Sequence, residues 1–202
     1  MTTDDGWQTT RSRRSSIVSR LASMRVAFQG ERGAYSEAAA IAYFGETIEP
    51  VPCVTFDDVF AGVEARKVER GIIPIENSLA GSIHRNYDLL LKHSLHIVGE
   101  KVLRVRHCLI VHSGVALPDV RLVSSHPQAL AQCEKYLARL GVEIEPAYDT
   151  AGAVKLLKEL GQRDKAAIAS RRAADVYGLQ VLDEGIEDDD ANFTRFLILS
   201  CQ

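Results

Sequence analysis

Two stretches of this chain carry the same punctuation at the same spacing, and that repeat constrains the fold more than any other feature. Gly30 and Thr55 stand 25 residues apart, as do Ser125 and Thr150, while Thr55 to Asn77 spans 22 and Thr150 to Ser170 spans 20. Short apolar runs alternate with longer segments that open on a cap residue and close on glycine, the pattern of strands alternating with helices. In the first copy Arg25-Val26-Ala27-Phe28 reads as a strand and Gly30 and Gly33 punctuate a turn. Ser36 then caps an Ala-rich helix through Phe44, with Gly45 as its stop. Pro50 to Val54 is a second strand. Thr55 caps a helix from Phe56 to about Glu69, with Asp57 and Asp58 in its first turn. Gly71 to Ile75 is a third strand, where Pro74 suggests an edge or a bend. In the second copy Arg121-Leu122-Val123 is a strand and Ser125 a cap. A helix with Pro127 in its first turn runs to Leu140 before Gly141. Thr150 caps the helix Ala151 to Leu160, and Ala166 to Ala169 is a strand ending at Ser170.

Such βαβαβ repeats give mainly parallel sheets with helices on both faces. The expectation is therefore an α/β fold of two similar lobes, lobe 1 at about 24–102 and lobe 2 at about 103–200. Ile97 to Val111 would cross between them, and the tail Asn192-Phe193-Thr194-Arg195-Phe196-Leu197-Ile198-Leu199 would supply a late strand of lobe 2.

The chain has 202 residues, 46% hydrophobic and 25% charged, which allows one large domain or two small lobes with their own cores. A net charge of −3 points to no nucleic-acid partner. No apolar run approaches the roughly 20 residues of a membrane span, so no membrane partner is expected. Cys53, Cys108, Cys133 and Cys201 form no CxxC pair and read as reduced thiols of an intracellular, cytoplasmic protein. Residues 1–23 are rich in Ser, Thr and Arg and lack the apolar segment of a secretory signal. Asp4 and Asp5 spoil a transit-peptide pattern, so this stretch reads as a disordered extension; a plastid location rests on taking it as a transit-peptide remnant.

Ligands of open α/β sheets bind outside the carboxyl ends of the strands, where helix N-termini suit anions. The groups at such ends are Gly30 to Ser36, Asn77-Ser78, Ser124 to Gln128, Asp149-Thr150 and Ser170, and lobes that face each other would bring them to one cleft. The tail adds a hydroxyl, a cation and an aromatic ring at the mouth of an apolar strand. Strand alternation places Thr194 and Phe196 on one face and Arg195 on the other. The competing reading is that each Ser or Thr caps its own helix and that Arg195 is a solvated edge residue. His93 and His96 have i, i+3 spacing with no third ligand, which favours a surface role over metal.

The segments Gly30-Glu31-Arg32-Gly33-Ala34-Tyr35-Ser36-Glu37, Pro74-Ile75-Glu76-Asn77-Ser78-Leu79-Ala80-Gly81-Ser82-Ile83, His107-Cys108-Leu109, Ser125-His126-Pro127-Gln128, Asp149-Thr150-Ala151, Ala167-Ile168-Ala169-Ser170 and Asn192-Phe193-Thr194-Arg195-Phe196 occur in order at fitting spacing. Together, over about residues 24–200, they resemble the catalytic domain of prephenate dehydratases and the closely similar plant arogenate dehydratases. The resemblance implies a two-lobed fold like type II periplasmic binding proteins with the site in the cleft. It implies conversion of prephenate to phenylpyruvate, carbon dioxide and water in phenylalanine biosynthesis, with no metal or organic cofactor, or conversion of arogenate to phenylalanine. It further implies a homodimer. Family members usually continue into an ACT domain that binds phenylalanine; this sequence stops at Gln202, so such control is expected to be missing or to lie elsewhere.

Carried onto this chain, the resemblance gives Thr194 the hydrogen bond or proton for the departing hydroxyl. Arg195 is the cation for a substrate carboxylate, and Phe196 packs against the ring or walls the cleft. Asn77 and Ser78 orient the substrate, and Ser125 and Gln132 match substrate-binding positions. Glu76, His126 and Thr150 are further candidates, each with a competing structural role; for His126 that role is a helix cap. Groups from both halves on one small molecule would favour lobe closure. A non-catalytic binding module is the rival from another class, since solute receptors share this architecture.

Overall fold

The computed structural model describes residues 23–201, so the expectation of a disordered N-terminal extension lies, except for Ser23, outside the described residues. The first repeat folds as β1 (Arg25–Gln29), α1 (Tyr35–Phe44), β2 (Glu49–Cys53), α2 (Phe56–Glu64) and β3 (Arg70–Asn77), followed by β4 (Gly81–Ser82), α3 (His84–Lys92) and β5 (His96–Arg104). The chain then crosses through Val105–His107 to β6 (Cys108–Val111). The second repeat follows as β7 (Leu122–Ser125), α4 (Pro127–Gln132), α5 (Glu134–Leu140), β8 (Glu143–Pro146), α6 (Thr150–Leu160), β9 (Lys165–Ala169), α7 (Arg171–Tyr177) and β10 (Gln180–Glu184). A second crossing leads to β11 (Phe193–Ser200).

The repeat is real at the level of topology. One sheet has the order β2-β1-β3-β11-β5, with β4 on β3, and the other has the order β8-β7-β9-β6-β10. In each, the first three strands are parallel. The remaining strands are antiparallel, so the sheets are mixed rather than mainly parallel. The cause is the direction of entry. β6 and β11 both enter their lobes from the crossing segments, which lie at the carboxyl ends of the parallel strands. A strand entering from that side must run against its neighbours.

The same fact corrects the assignment of the tail to lobe 2. β11 is an interior strand of the first sheet, paired along its length with β3 and β5. Residues 193–200 therefore leave the expected span of lobe 2 and complete lobe 1. Pro74 is also interior rather than at an edge. Its missing N–H is tolerated because β1 pairs with β3 only up to Ile72, and the register with β11 shifts between Glu76 and Pro74.

β1 shows why a buried strand needs no alternation. Val26 and Phe28 pack on one face and Ala27 on the other, all of them buried. The face of Val26 and Phe28 also carries Ile72, Phe196 and Ile198. These join Val154 and Leu157 of α6 and Cys108 and Ile110 of β6 in one cluster. The lobes thus share an apolar core instead of meeting only at hinges.

Several helix ends differ from expectation. No side chain caps α1; Ala34 is its N-cap and Ser36 lies inside the first turn. The N-cap of α6 is Asp149, which accepts from the Ala151 amide, and Thr150 is the first helical residue. Thr55 does cap α2, in a capping box with Asp58, but the helix stops at Glu64. There Arg66 turns to φ 53° and the Lys67 amide bonds back to the Gly62 carbonyl, a tight terminus without glycine. The helix expected from Pro127 to Leu140 breaks at Cys133. Asp188, from the second crossing, donates its amide to the Gln132 carbonyl at 2.7 Å and takes the Lys135 amide on its carboxylate. That cap comes from 53 residues away, so no local pattern announces it.

Candidate active site

The carboxyl ends of both parallel strand sets open into a cleft of about 470 Å³ between the lobes. Its walls include Tyr35 and Ser36 at the start of α1, Asn77 at the end of β3, Thr194 at the start of β11, Gln132 of α4, and Asp149 and Thr150 at the start of α6. His107, in the first crossing, and His126, ahead of α4, also line it. No Lys or Arg does. The free N–H groups at the uncapped start of α1 give the cleft a partial positive charge from backbone alone.

Antiparallel pairing sets Thr194 opposite Asn77. Thr194 Oγ1 accepts from Asn77 Nδ2 at 3.0 Å, and the same nitrogen donates to Asn192 Oδ1 at 2.8 Å and the Phe193 carbonyl at 3.1 Å. Thr194 donates to nothing among the described residues, so its proton is available to the cleft. Asn192 Nδ2 donates to Gln132 Oε1 at 3.0 Å, and His107 Nε2 meets the same oxygen at 2.9 Å. The other ring nitrogen of His107 lies 2.9 Å from the Tyr35 hydroxyl. One polar chain thus runs from lobe 1 across both crossings to lobe 2 and back to α1. Burial disfavours the charged imidazole of His107 and lowers its pKa, against smaller opposing effects of Gln132 and Glu187. Burial likewise raises the Tyr35 phenol well above its usual range, with Cys108, Cys133 and Glu187 adding to the effect. Both groups are therefore neutral near pH 7.

The remaining sequence candidates lie elsewhere. Arg195 is exposed on the opposite face of β11 and pairs with Glu100 through Nε at 2.9 Å and Nη2 at 2.6 Å. Phe196 is buried in the shared core, away from the cleft wall. Ser125 is fully buried and donates to the Ile168 carbonyl at 2.6 Å. Ser78 is exposed outside the cleft, donating to the Ala191 carbonyl at 2.6 Å and accepting from the Phe193 amide at 2.9 Å. It secures the second crossing. Glu76 is exposed beside Arg195. His126 Nδ1 accepts from the Gln128 amide at 3.2 Å while the ring borders the cleft. His93 pairs with Glu64 at 2.8 Å, and among the described residues no group of three His, Cys, Asp or Glu could hold a metal.

Sequence reading included Tyr35 only within the span Gly30 to Ser36 and gave no site role to His107 or Asn192. Tyr35 and His107 stand in the quoted motifs, and Asn192 is the first residue of the tail. Only the crossings bring them together.

The lobes are joined beside the cleft as well. Glu37 on α1 is fully buried between Arg32 at 2.9 Å and Arg172 of α7 at 3.0 Å. Ser170 Oγ donates to the Gly33 carbonyl at 2.6 Å, and Glu31 meets Lys155 and the Tyr148 hydroxyl, each at 3.1 Å.

Comparison with known proteins places these features. The family profile described as "Prephenate dehydratase" matches residues 26–202. "Arogenate dehydratase/prephenate dehydratase 2, chloroplastic" of Arabidopsis thaliana is 55% identical over 183 residues, covering 91% of this chain and 48% of that protein. The chain spans about half the length of the curated relatives it matches. A prephenate dehydratase from Arthrobacter aurescens, solved in complex with L-Phe, superposes with a TM-score of 0.81 at 28% identity, over 88% of this chain and 60% of that one. A structure described as "a novel type of quorum quenching acylases" gives 0.80 at 39% identity, over 87% of this chain and 63% of that one.

Proposed function

Because this chain belongs to the prephenate dehydratase family, we propose that it is a carbon–oxygen lyase converting prephenate to phenylpyruvate, carbon dioxide and water, a step towards L-phenylalanine. The observation that carries this reading is the Thr194 hydroxyl, which accepts from Asn77 and keeps its own proton for the cleft. As the substrate loses its carboxylate as carbon dioxide, the electron pair of the broken C–C bond completes the aromatic ring and expels the ring hydroxyl. Thr194 donates to that leaving oxygen, and the Asn77 N–H at its own oxygen offsets the charge that develops there.

The substrate is a dianion and no Lys or Arg among the described residues lines the cleft, so its neutral donors are the groups to hold it. The start of α1, the amide nitrogen of Gln132 and the Thr150 hydroxyl are the groups we assign to its carboxylates. Arg195 and Phe196 instead hold β11 in place, the first through Glu100 and the second from the core. Acyl transfer, named for one structural neighbour, finds no Ser or Cys hydrogen-bonded to a His among the described residues.

A second reading, arogenate as substrate, is favoured by the name of the Arabidopsis relative and by the Asp149 carboxylate on the cleft wall, which would meet an ammonium group. Incubation of the purified chain with prephenate or arogenate, following phenylpyruvate or phenylalanine, tests both. Turnover of prephenate with the higher kcat/KM supports the first reading, a preference for arogenate supports the second, and a folded protein inert towards both overturns the activity.

We further propose that the chain works as a homodimer in the cytoplasm, as the sequence reading expects. The relatives named chloroplastic favour a plastid instead, and fractionation decides between the two. No helix among the described residues is long and apolar enough to cross a membrane.

A further inference from the structure

The direction of every hydrogen bond in the chain through the cleft is dictated from one end. Asn77 Oδ1 accepts from the backbone amides of Leu79 at 3.1 Å and Ala80 at 2.9 Å. A backbone N–H can only donate, so the amide of Asn77 has one orientation, with its nitrogen towards Thr194 and Asn192. Asn192 must then offer its oxygen to Asn77 and its nitrogen to Gln132 Oε1. An amide oxygen can only accept, so the His107 nitrogen at 2.9 Å from the same Oε1 must carry a hydrogen. A neutral imidazole with its proton on Nε2 has a bare Nδ1, and the Tyr35 hydroxyl at 2.9 Å fits as the donor to it. The Tyr35 proton also faces the Arg106 carbonyl at 2.8 Å, so it is shared between two acceptors. With its oxygen held from both sides, Gln132 turns its amide nitrogen away from the chain. That nitrogen has no partner among the described residues, and Gln132 lines the cleft.

We infer that Tyr35 and His107 are positioning residues: His107, with its proton on Nε2, joins Asn192 in holding Gln132 Oε1, and Tyr35 seats the imidazole through Nδ1, so that Gln132 meets the substrate only as a donor. This deepens the dehydratase reading and rests on it. A Gln132 turned the other way would present an oxygen to a carboxylate, and no Lys or Arg among the described residues lines the cleft to offset it. The cost is both a lost charge-assisted bond and a repulsion. The polarity of the site is thus set by backbone amides at the end of β3 and carried across both crossings to the opposite lobe.

Two measurements test this. Ring 15N shifts of His107 in the wild-type chain at pH 7.5, assigned by loss of the signal in His107→Gln, should report the Nε2–H tautomer, and Tyr35→Phe should retain it, because Gln132 Oε1 still accepts from that nitrogen. A wild-type proton on Nδ1 overturns the inference whatever the activity. In steady-state kinetics with prephenate, His107→Ala should raise KM by roughly tenfold or more, the loss of one hydrogen bond to a charged group. His107→Gln, whose amide can reach the same Oε1 as a donor, should recover most of that loss. A folded His107→Ala with unchanged KM, or a folded Gln variant no better than Ala, overturns it. An inert wild type with the Nε2–H tautomer would instead sink the dehydratase assignment and with it the role proposed for Gln132.

Discussion

Thr194 and Asn77 are 117 residues apart in sequence and hydrogen-bonded at 3.0 Å. The pairing follows from β11 running back along β3 from the cleft, so that the first residues of one strand meet the last residue of the other. The donor sits on the nucleophilic side of the hydroxyl oxygen and leaves the proton unengaged.

Replacement of Thr194 by Ala is therefore expected to lower kcat by roughly 10²–10⁴-fold, the usual contribution of a positioned proton donor, with a modest change in KM. Thr194→Ser, which retains the hydroxyl, should recover much of the rate. Steady-state kinetics of the pair decide the matter, and an Ala variant close to wild type removes Thr194 from the chemistry.

Arg195→Ala should leave KM within about fivefold of wild type, the most an exposed ion pair is expected to matter. The guanidinium faces Glu100 on the side of the sheet away from the cleft. A large rise in KM with kcat unchanged would mean that Arg195 reaches substrate by a rearrangement of β11.

Ser125→Ala separates binding from architecture. Its hydroxyl is fully buried and spent on the Ile168 carbonyl, so the variant should lose about 1–3 kcal/mol of stability in urea unfolding. Its kcat/KM, measured well below the melting temperature, should be unchanged.

Gly33→Ala tests the join between lobes. Gly33 has φ +91°, and a Cβ there would stand 2.6 Å from Ala173 Cα. Backbone strain and overpacking should together cost at least about 1–3 kcal/mol. Because this contact and the Glu37–Arg172 pair already tie the lobes, substrate-driven closure should be small. Small-angle scattering with an unreactive dianionic analogue should show little change in radius of gyration, and a marked contraction would show that these ties yield.

Stability should fall on acidification through His107. Burial holds its folded pKa below the ordinary value of about 6.5, with Glu187 and Tyr35 as the titratable groups that face it. The unfolded chain therefore binds more protons than the folded one in the window between the two values. This contribution is fully present above about pH 6.5 and is lost as pH drops through the folded pKa. Urea titrations of wild type and His107→Gln at pH 7.5 and 5 should show a shallower pH dependence in the variant. Equal slopes would assign the acid sensitivity to other groups.

How much of this was legible in sequence depends on the range of the interaction involved. The repeat, the strand and helix alternation, the Thr55 cap and the placement of Asn77, Gln132 and Thr194 near strand and helix ends all follow from local chemistry: side-chain period, cap preference, and the spacing of turn residues. Strand alternation also separated Arg195 from Thr194 correctly, because that relation spans one residue. The resemblance to a family added a function but assigned Arg195, Phe196, Ser125 and Ser78 to the substrate, and none of the four lines the cleft.

Sequence by itself determined two βαβαβ units and the polar residues at the ends of their strands, since those depend on neighbours along the chain. Only the tertiary structure decided that the last strand returns to the first lobe, that Asp188 splits α4 from α5, and that Asn192 and His107 link Asn77 to Gln132. Each of these is a contact between segments 25 or more residues apart. The partner in such a contact is chosen by which strand ends the two crossings bring together, a property of the packed chain that no local preference encodes.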